Sequence, residues 1–386
     1  MDALHSLVLL LVLAKLLEYP ARRIGLNPIV AHVAAGVVLG PYVLGIVMPS
    51  SDLEAISYLG LLLFMFYTGV TTSFKELHRM RKAIVLVGAA GAGLTALATY
   101  AALNTVGVRG VKALVISIIL SNTATETVAA IVRGEHDEVL RAIILGSSVV
   151  DDVLAVFMIS IVSQGIGNYH HVLRVVVLTG LFLAAAIGVS ELLVRRPSVF
   201  YQRVSGNPVL FASVSILMTM ALAYLSRLSG LSELIGAYIA GLIIGRGREY
   251  HDPLLLARVA IADFIDELKV FLEALFIPLF FTYVGLLAAP YSTDPQLFTA
   301  MFTAAILGKV LGCGLASYPY LRSGARSIAV GAAMVGRGAL ETALLKLLLD
   351  QGVLSTGEYS SILAASLATT IAAPLLYTAV RRGLEE

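Results

Sequence analysis

The sequence has little charge, a single cysteine and no tryptophan. Charged residues make up 13% of its 386 residues, whereas soluble domains average about 25%. Because 58% of the residues are hydrophobic and the mean hydropathy is +0.90, a soluble fold would lack the polar surface needed to cover its core. The composition therefore indicates a membrane protein.

Other absences exclude further classes of function. The single cysteine, Cys313, rules out an intramolecular disulfide. A net charge of +2 offers no basic excess for binding nucleic acid. His170 and His171 lack the Cys or acid spacing of a metal site. Since no nucleophile–base pair or nucleotide motif appears either, we expect no enzyme activity and no cofactor.

Long apolar runs dominate the chain. A helix of about 20 apolar residues crosses a bilayer, and about thirteen segments approach this length. The predicted spans are residues 4–20, 28–48, 54–70, 83–103, 111–132, 140–163, 172–194, 207–226, 231–245, 267–287, 297–317, 325–349 and 360–380. We therefore predict an all-α polytopic protein in which residues 1–386 form a single integral membrane transporter domain.

The basic residues of the predicted loops indicate the orientation of the chain. With thirteen spans, most loop Lys and Arg residues fall on one side of the bilayer. The positive-inside rule assigns that side to the cytoplasm. We therefore predict a multi-pass protein of the cell membrane with its N-terminus outside and its C-terminus in the cytoplasm.

The sequence also contains an internal repeat. Residues 26–40 align with residues 231–245, and both segments carry Ala-Gly-x-x-x-Gly at matching places. The next span of each copy ends alike, at residues 66–70 and 282–286. The copies lie seven spans apart, and an odd offset inverts the second copy in the membrane. Inverted repeats are typical of secondary transporters, whereas helix packing alone explains each glycine but not their paired order.

Two adjacent carboxylates lie in the middle of the sixth predicted span. Ionisable groups inside a membrane are costly and by default functional. Asp151 and Asp152 follow Ser148 by about one helical turn, and such a pair titrates as a coupled unit. The same oxygens can then hold either protons or a cation. The alternative is a structural carboxylate that is satisfied by a cationic partner.

The fifth predicted span is rich in hydroxyl groups. Residues 121–127 read Ser-Asn-Thr-Ala-Thr-Glu-Thr. Small polar residues can line a helix break, where freed carbonyls and the Thr125 hydroxyl coordinate a hard cation. Hydroxyl groups that bond back to their own helix are the alternative, and the acid Glu126 favours function.

Later spans contain further charges. Lys309 lies at the centre of the eleventh span and needs a carboxylate partner. Arg337 stands between two glycines in the twelfth span, which suggests a second helix break. We expect Arg337 to have a structural role, paired with an acid such as Glu341 or Glu273. Glu273 itself precedes Pro278, which should kink the tenth span.

Taken together, these residues resemble the monovalent cation:proton antiporters, most closely the NapA-type bacterial and archaeal Na⁺/H⁺ antiporters. The likeness runs almost end to end, and it rests on the order of the motifs rather than on any one of them. The motifs are residues 26–28 through 36–41, the Asp151-Asp152 segment, residues 236–241, 278–285 and 308–312, and Arg337-Gly338.

The resemblance implies a fold of thirteen helices. Its dimerisation helices would cover roughly residues 1–50 and 172–245, and its core helices roughly residues 54–163 and 267–380. Two broken helices, the fifth and the twelfth, would cross in the core. The resemblance also implies a homodimer in the lipid bilayer that moves its core domain across the membrane like an elevator.

The resemblance further assigns roles to site residues. Asp152 corresponds to the essential ion-binding carboxylate, where Na⁺ would bind. Asp151 corresponds to the lysine-paired aspartate, so Lys309 would lie opposite it. Thr125 and Glu126 fall at the broken-helix position. The transported ions, Na⁺ or Li⁺ and protons, would be exchanged electrogenically, with two protons per Na⁺ associated with this pattern.

The sequence departs from the family pattern at three places and leaves other functions open. Thr71 replaces an acid at the end of the third span, Ala339 replaces an acid after Arg337, and Glu126 is an additional acid. A K⁺/H⁺ antiporter remains an alternative, because site geometry sets cation selectivity. An ion channel or efflux pathway on the same scaffold, and an organic-anion symporter, are alternatives from other classes.

Overall fold

The computed structural model describes residues 3–23, 28–71, 81–132, 135–163, 207–228, 233–246 and 256–385, with the single positions 177, 181 and 188. The regular elements in these ranges are all helical. In chain order, the α-helices among them are α1 Ala3–Arg23, α2 Pro28–Leu39, α3 Ser51–Thr71, α4 Arg81–Thr105, α5 Gly110–Ile119, α6 Thr125–Ile131, α7 Glu138–Ser163, α8 Pro208–Leu228, α9 Glu233–Arg246, α10 Leu256–Phe271, α11 Ile277–Leu286, α12 Pro295–Leu321, α13 Gly324–Ala333, α14 Ala339–Asp350 and α15 Thr356–Glu385. The predicted span 172–194 lies, apart from three single positions, outside the described residues.

Seven of the described helical runs are long and apolar enough to cross a membrane. They are α1, α3, α4, α8, the continuous run through α10 and α11, α12 and α15. The helices α2, α5 and α9 are apolar but shorter. The prediction of an all-α, multi-spanning membrane protein is confirmed.

The sequence sets the ends of α12 clearly. The Asp294 side chain accepts a hydrogen bond from the Gln296 backbone N–H at 2.8 Å, and Pro295 occupies the first helical position. Both features are typical of helix starts. The helix ends where Arg322 adopts a left-handed conformation with φ of 49°. Its 27 residues extend about 40 Å, which is enough to cross a bilayer.

Two predicted spans have different bounds in the structure. The span predicted at 28–48 is helical only as far as Leu39, because the chain turns at Pro41 and at Gly45, whose φ is positive. The tenth span, predicted at 267–287, is already helical from residue 256. It contains a π-helical turn, Leu272–Phe276, immediately before Pro278. Such turns accommodate a proline that cannot donate its backbone hydrogen bond.

The described residues belong to two compact units. One unit comprises residues 1–53, 75–158 and 281–386, and the other comprises residues 54–74 and 159–280. The second unit has a core of aromatic side chains, in which Phe211 meets Phe264 edge to face at 5.4 Å. The predicted assignment of helices to dimerisation and core domains stays a prediction.

The two copies of the predicted repeat make equivalent helix contacts. In each unit, paired glycines face backbone carbonyls so closely that an added Cβ atom would collide with them. The pairs are Gly36 with Thr282 and Gly285 with Val33 in the first unit, and Gly241 with Phe66 and Gly69 with Tyr238 in the second. In the alignment of the repeat, the first two pairs are the counterparts of the last two. Close backbone contact therefore explains the paired order of these glycines.

Candidate ion-binding site

The fifth predicted span is broken within its polar segment. Helix α5 ends at Ile119 and α6 begins at Thr125. The intervening Ser121, Asn122 and Thr123 are buried. A helix break frees backbone N–H and C=O groups, which need other partners inside a membrane protein. The polar residues of this segment lie where such partners are required.

The twelfth predicted span is broken in the same way. Helix α13 ends at Ala333 and α14 begins at Ala339. Glycines flank Arg337 in the break, and a Cβ atom at Gly336 would lie 2.5 Å from Thr127 Cγ2. The glycine therefore permits a close approach between the two broken helices.

Hydrogen bonds join the two breaks. The Ala124 backbone N–H donates to the Gly336 carbonyl at 3.0 Å. The Thr123 hydroxyl donates to the Met334 carbonyl at 2.7 Å, and the Thr127 hydroxyl donates to the carbonyl of Arg337 at 3.2 Å. The prediction that these two broken helices cross is confirmed, and the freed backbone groups of one break are satisfied by the other.

Arg337 is buried at this crossing. Its exposed fraction is 1%, and its Nη1 donates to the Asn122 carbonyl. Its backbone N–H donates to the Thr370 hydroxyl of α15 at 3.1 Å. The Glu341 carboxyl group lies 3.6 Å from Arg337 Nε. Arg337 thus connects both breaks with the start of α14 and with α15.

A buried ion pair lies in the same unit. Lys309 Nζ of α12 donates to Asp151 Oδ2 of α7, and both side chains are fully buried. Thr123 of the first break lies beside Asp151. In the described part of the chain, no donor with hydrogen-bonding geometry reaches the other carboxylate oxygen, Oδ1. Removing two charges from water costs roughly several kcal/mol per ion, so such a pair is stable only when the two groups are in close contact.

Helix α4 provides the space for this lysine. Helices α4 and α12 pack along much of their length. A Cβ atom at Gly91 would lie 3.7 Å from Lys309 Nζ, and one at Gly308 would lie 2.5 Å from the Thr95 Cα atom. Close helix packing at glycines therefore seats the ammonium group inside the unit.

Two predicted oxygen ligands lie together at the start of α6. The Thr125 hydroxyl donates to the Ser148 hydroxyl at 3.2 Å, and Ser148 donates to the Leu145 carbonyl at 2.9 Å. Ser148 lies one turn before Asp151 on α7, so both hydroxyl groups lie near the aspartate segment.

A polar network holds the loop between α6 and α7. Arg381 Nη2 and the Asp137 backbone N–H each donate to Glu135 Oε1 at 2.9 Å. The Tyr377 hydroxyl donates to Glu135, and Arg326 donates to Asp137. Burial raises the pKa of Glu135, but the donated hydrogen bonds and the nearby guanidinium outweigh burial and lower that pKa below its ordinary value.

A family comparison agrees with this architecture. The family model described as "Sodium/hydrogen exchanger, transmembrane" matches residues 8–380. The chain belongs to the sodium/hydrogen exchanger family. This membership places it among secondary transporters rather than enzymes.

Individual relatives of this exchanger support the same conclusion. It is 26% identical over 385 residues to the Na⁺/H⁺-K⁺ antiporter GerN of Bacillus cereus, covering 97% of the chain and 95% of the relative. It is also 26% identical over 388 residues to a Na⁺/H⁺ antiporter of Enterococcus hirae, covering 97% of each. The fold matches the solved sodium proton antiporter MjNhaP1 of Methanocaldococcus jannaschii with a TM-score of 0.75 and 17% identity, covering 99% of the chain and 97% of that structure.

The structure brings together several residues that the sequence singled out in this exchanger. Lys309 contacts Asp151, Thr125 contacts Ser148, and Glu341 lies near Arg337. The side chains of Glu126 and Asp152 lie outside the described part of the chain. Glu273 belongs to the other compact unit, where it lies 3.9 Å from Lys269. The functional roles of all these residues stay predictions.

Sequence reasoning missed a polar cluster between α1 and α2 that forms around the buried residues Glu18 and His32. Glu18 accepts from Lys15 at 2.8 Å and from Arg22 at 2.6 Å, and His32 Nε2 lies 3.1 Å from it. An acid within the apolar first span was the available signal. Thr370 was also missed, although it lies in a series of hydroxyl residues along the last span. Within the described residues, no three His, Cys, Asp or Glu side chains cluster as metal ligands would.

Proposed function

We propose that this protein is a secondary active transporter that exchanges Na⁺ or Li⁺ for protons by alternating access. Membership of the sodium/hydrogen exchanger family supports this proposal. The names of the relatives from Bacillus cereus and Enterococcus hirae, both of which include Na⁺/H⁺ antiport, support the choice of ions.

The observation that carries the proposal is the buried pair of Asp151 and Lys309 beside two crossing helix breaks. The ends of broken helices carry partial charges, negative at C-termini and positive at N-termini. At this crossing, Arg337 occupies the C-terminal ends of α5 and α13, so the aspartate segment beside the broken helices is the group that attracts a cation. Such a site is suited to a small monovalent ion rather than to an organic molecule.

Within this proposal, Asp152 holds the cation. Thr125, Glu126 and Ser148 are the proposed sources of additional oxygen ligands, because hard cations prefer oxygen. Asp151 holds Lys309 while the site carries protons, and Lys309 releases Asp151 when the cation arrives. Since the same carboxylates take either protons or the cation, the two ions compete, and this competition couples their movements.

The proposed exchange is electrogenic. If two protons enter for each Na⁺ that leaves, one net charge crosses the membrane in each cycle. The membrane potential then contributes about 2.3 kcal/mol per charge per 100 mV. The elevator movement of a core domain, the homodimer in the lipid bilayer, and the orientation with an outside N-terminus and a cytoplasmic C-terminus belong to the same proposal. Asp152 is the only proposed metal position, and the Na⁺ there is substrate rather than cofactor.

A transport assay tests the proposal directly. The purified full chain is reconstituted in liposomes that carry a pH gradient, and Na⁺, Li⁺ or K⁺ is added with and without a clamped membrane potential. We expect Na⁺ and Li⁺ to dissipate the pH gradient, at a rate that depends on the potential.

Two variants locate the site in the same assay. Asp152→Asn should abolish exchange, and the matched control Asp52→Asn, at an exposed position of α3, should retain it. Full activity in Asp152→Asn would remove the aspartate pair from the mechanism.

K⁺/H⁺ antiport is the second candidate. The name of the Bacillus cereus relative includes K⁺ as well as Na⁺. Dissipation of the pH gradient by K⁺ but not by Na⁺ would favour this candidate. Absence of proton movement with every cation would contradict both antiport proposals.

A further inference from the structure

The Glu341 carboxyl group is buried but lacks a well-formed hydrogen bond to the described residues around it. Glu341 is the third residue of α14 and is 1% exposed. Among the described residues, no donor reaches either of its oxygens with good hydrogen-bonding geometry, although the Ser366 hydroxyl lies beside the carboxyl group. Arg337 Nε and Nη2 have no acceptor with such geometry there either. The nearest approach between the two groups is the 3.6 Å between Arg337 Nε and Glu341 Oε2. The carboxyl and guanidinium groups are thus close neighbours that do not form a well-aligned hydrogen bond.

A structural ion pair has a different geometry. Arginine and carboxylate groups normally form charge-assisted hydrogen bonds of about 2.7–2.9 Å, often two at once. Arg381 and Glu135 in the same unit meet this standard at 2.9 Å. A buried pair is stable in its charged form only when its geometry is good and its remaining donors and acceptors are satisfied. Arg337 and Glu341 do not satisfy this condition.

Glu341 is not the only negative group that acts on Arg337, because Asp151 also lies near it. Arg337 lies at the C-terminal ends of α5 and α13 and donates to the Asn122 carbonyl. A helix C-terminus carries about half a negative charge. Two such ends together can offset one guanidinium, so Glu341 can be neutral while Arg337 stays charged.

The surroundings of Glu341 act on its proton in opposite directions. Complete burial and the lack of a well-formed hydrogen bond to either oxygen favour the protonated acid. Arg337, Lys309 across from it on α12, and the N-terminus of α14 favour the carboxylate. Lys309 is already paired with Asp151, and Ser366 of α15, the residue beside the carboxyl group, brings a hydroxyl rather than a charge. Farther along α14, Lys346 pairs with Asp350.

We propose that Glu341 is a further proton-binding group of the exchanger, protonated in the conformation seen here and able to lose its proton during the transport cycle. This inference deepens the proposed antiport, and it assigns to Glu341 more than the structural partnership with Arg337. When a cation arrives and Lys309 leaves Asp151, the uncompensated ammonium near Glu341 favours loss of the Glu341 proton to water. Loading of the cation and release of this proton are then coupled.

Infrared spectroscopy tests the proton directly. Difference spectra of the purified full chain in lipid, recorded between acidic and alkaline pH, report protonated carboxyl groups through their C=O stretch. We expect a titrating band that is lost in Glu341→Gln and kept in the matched control Glu358→Gln. Glu358 lies in the first turn of α15 and pairs with Lys112 of α5. Identical titrating bands in the wild type and in Glu341→Gln would overturn the proposal.

Thermal unfolding of the same variants separates this role from a purely structural one. Glutamine has nearly the shape of a protonated glutamate. If Glu341 is protonated in the folded state, Glu341→Gln should match the wild type at acidic pH and should be the more stable protein at alkaline pH, because only the wild type then has to keep a proton on a buried acid or bury its charge. If Glu341 is a permanent carboxylate partner of Arg337, the variant should be destabilised at every pH or should fail to fold. Either of the latter results overturns the proposal.

Transport measurements distinguish the two proposals. In liposomes, Glu341→Gln should still exchange Na⁺ for protons, with a shifted dependence of the rate on pH. If the wild type exchanges no ions but the Glu341 band is present, the antiport proposal fails and the proton-binding group stands. If exchange is present and the band and the pH profile are unchanged by Glu341→Gln, only the present inference fails.

Discussion

Breaking the ion pair between Lys309 and Asp151 should destabilise the protein strongly. Both side chains are fully buried and in direct contact. Removal of one partner from a buried pair costs about 3–5 kcal/mol, because the remaining charge stays in a low-dielectric environment. We therefore expect a loss of this size in Lys309→Gln, and a similar loss in Asp151→Asn, which leaves the lysine unpaired.

The double variant Asp151→Asn/Lys309→Gln gives the decisive comparison. Replacement of both partners by neutral groups leaves no buried charge. The loss of unfolding free energy in the double variant should therefore be smaller than the sum of the two single losses, by about 1–3 kcal/mol. The loss in Lys309→Gln should also shrink at acidic pH, where Asp151 can take up a proton instead of staying charged.

Unfolding free energies from denaturant titration in mixed micelles provide the assay. Circular dichroism is the suitable signal, because the sequence has no tryptophan for fluorescence. Additive single effects, or single losses below about 1 kcal/mol, would refute the reasoning, since exposed pairs contribute that little. Such results would mean that water reaches the pair.

Three further predictions concern packing, the helix crossing and pH. Gly36→Ala should cost about 1–3 kcal/mol in unfolding free energy, because its Cβ atom would collide with the Thr282 carbonyl. Thr123→Val should cost about 1–3 kcal/mol, because it leaves the buried carbonyl of Met334 without its donor. Glu135, whose pKa is lowered in the folded state, contributes stability above its unfolded pKa of about 4.3. That contribution is lost as pH falls through the folded pKa. In Glu135→Gln, the unfolding free energy should therefore decrease less steeply with falling pH than in the wild type.

Matched controls accompany these variants in the same unfolding assay. Gly93→Ala on α4 should be neutral or stabilising, because no atom lies near its added Cβ and alanine favours helix. Thr123→Ser keeps the hydroxyl group and should recover most of the stability. Glu138→Gln at an exposed position should leave the decrease with falling pH unchanged. A control that behaves like its partner variant would contradict the mechanism assigned to that partner.

The two helix breaks were predictable because their cause is local, whereas their crossing was an implication of the family resemblance. Residues 121–127 supply hydroxyl and amide groups where an apolar span should continue, and glycines flank Arg337 in the other break. Polar residues in a membrane helix need partners, so their density indicated where each helix would stop. The repeat was predictable for a related reason, since close backbone contacts admit only glycine.

Other features depend on contacts that no local pattern specifies. Glu18 and His32 belong to different helices, and only the packing of α1 against α2 brings them together. The π-helical turn before Pro278 depends on how the chain accommodates a missing backbone donor, not on the proline alone. The side chain of Asp152 lies outside the described part of the chain, so its role as the cation-binding group rests on the sequence.

The position of the acid on α14 follows from the charge balance at the crossing. The family pattern that the sequence resembles has an acid two residues after the arginine, whereas this chain has Ala339 there and Glu341 two residues later. Two residues rotate a side chain by about 200° around a helix, so the acid is displaced to another face of α14. If Arg337 required a carboxylate in one fixed place, such a displacement would leave its charge unbalanced. Because the C-termini of α5 and α13 and the carboxylate of Asp151 also act on that charge, Arg337 does not need the acid at one fixed position, and the acid lies beside Ser366 instead. In the proposal made above, it exchanges a proton there instead of only neutralising the arginine.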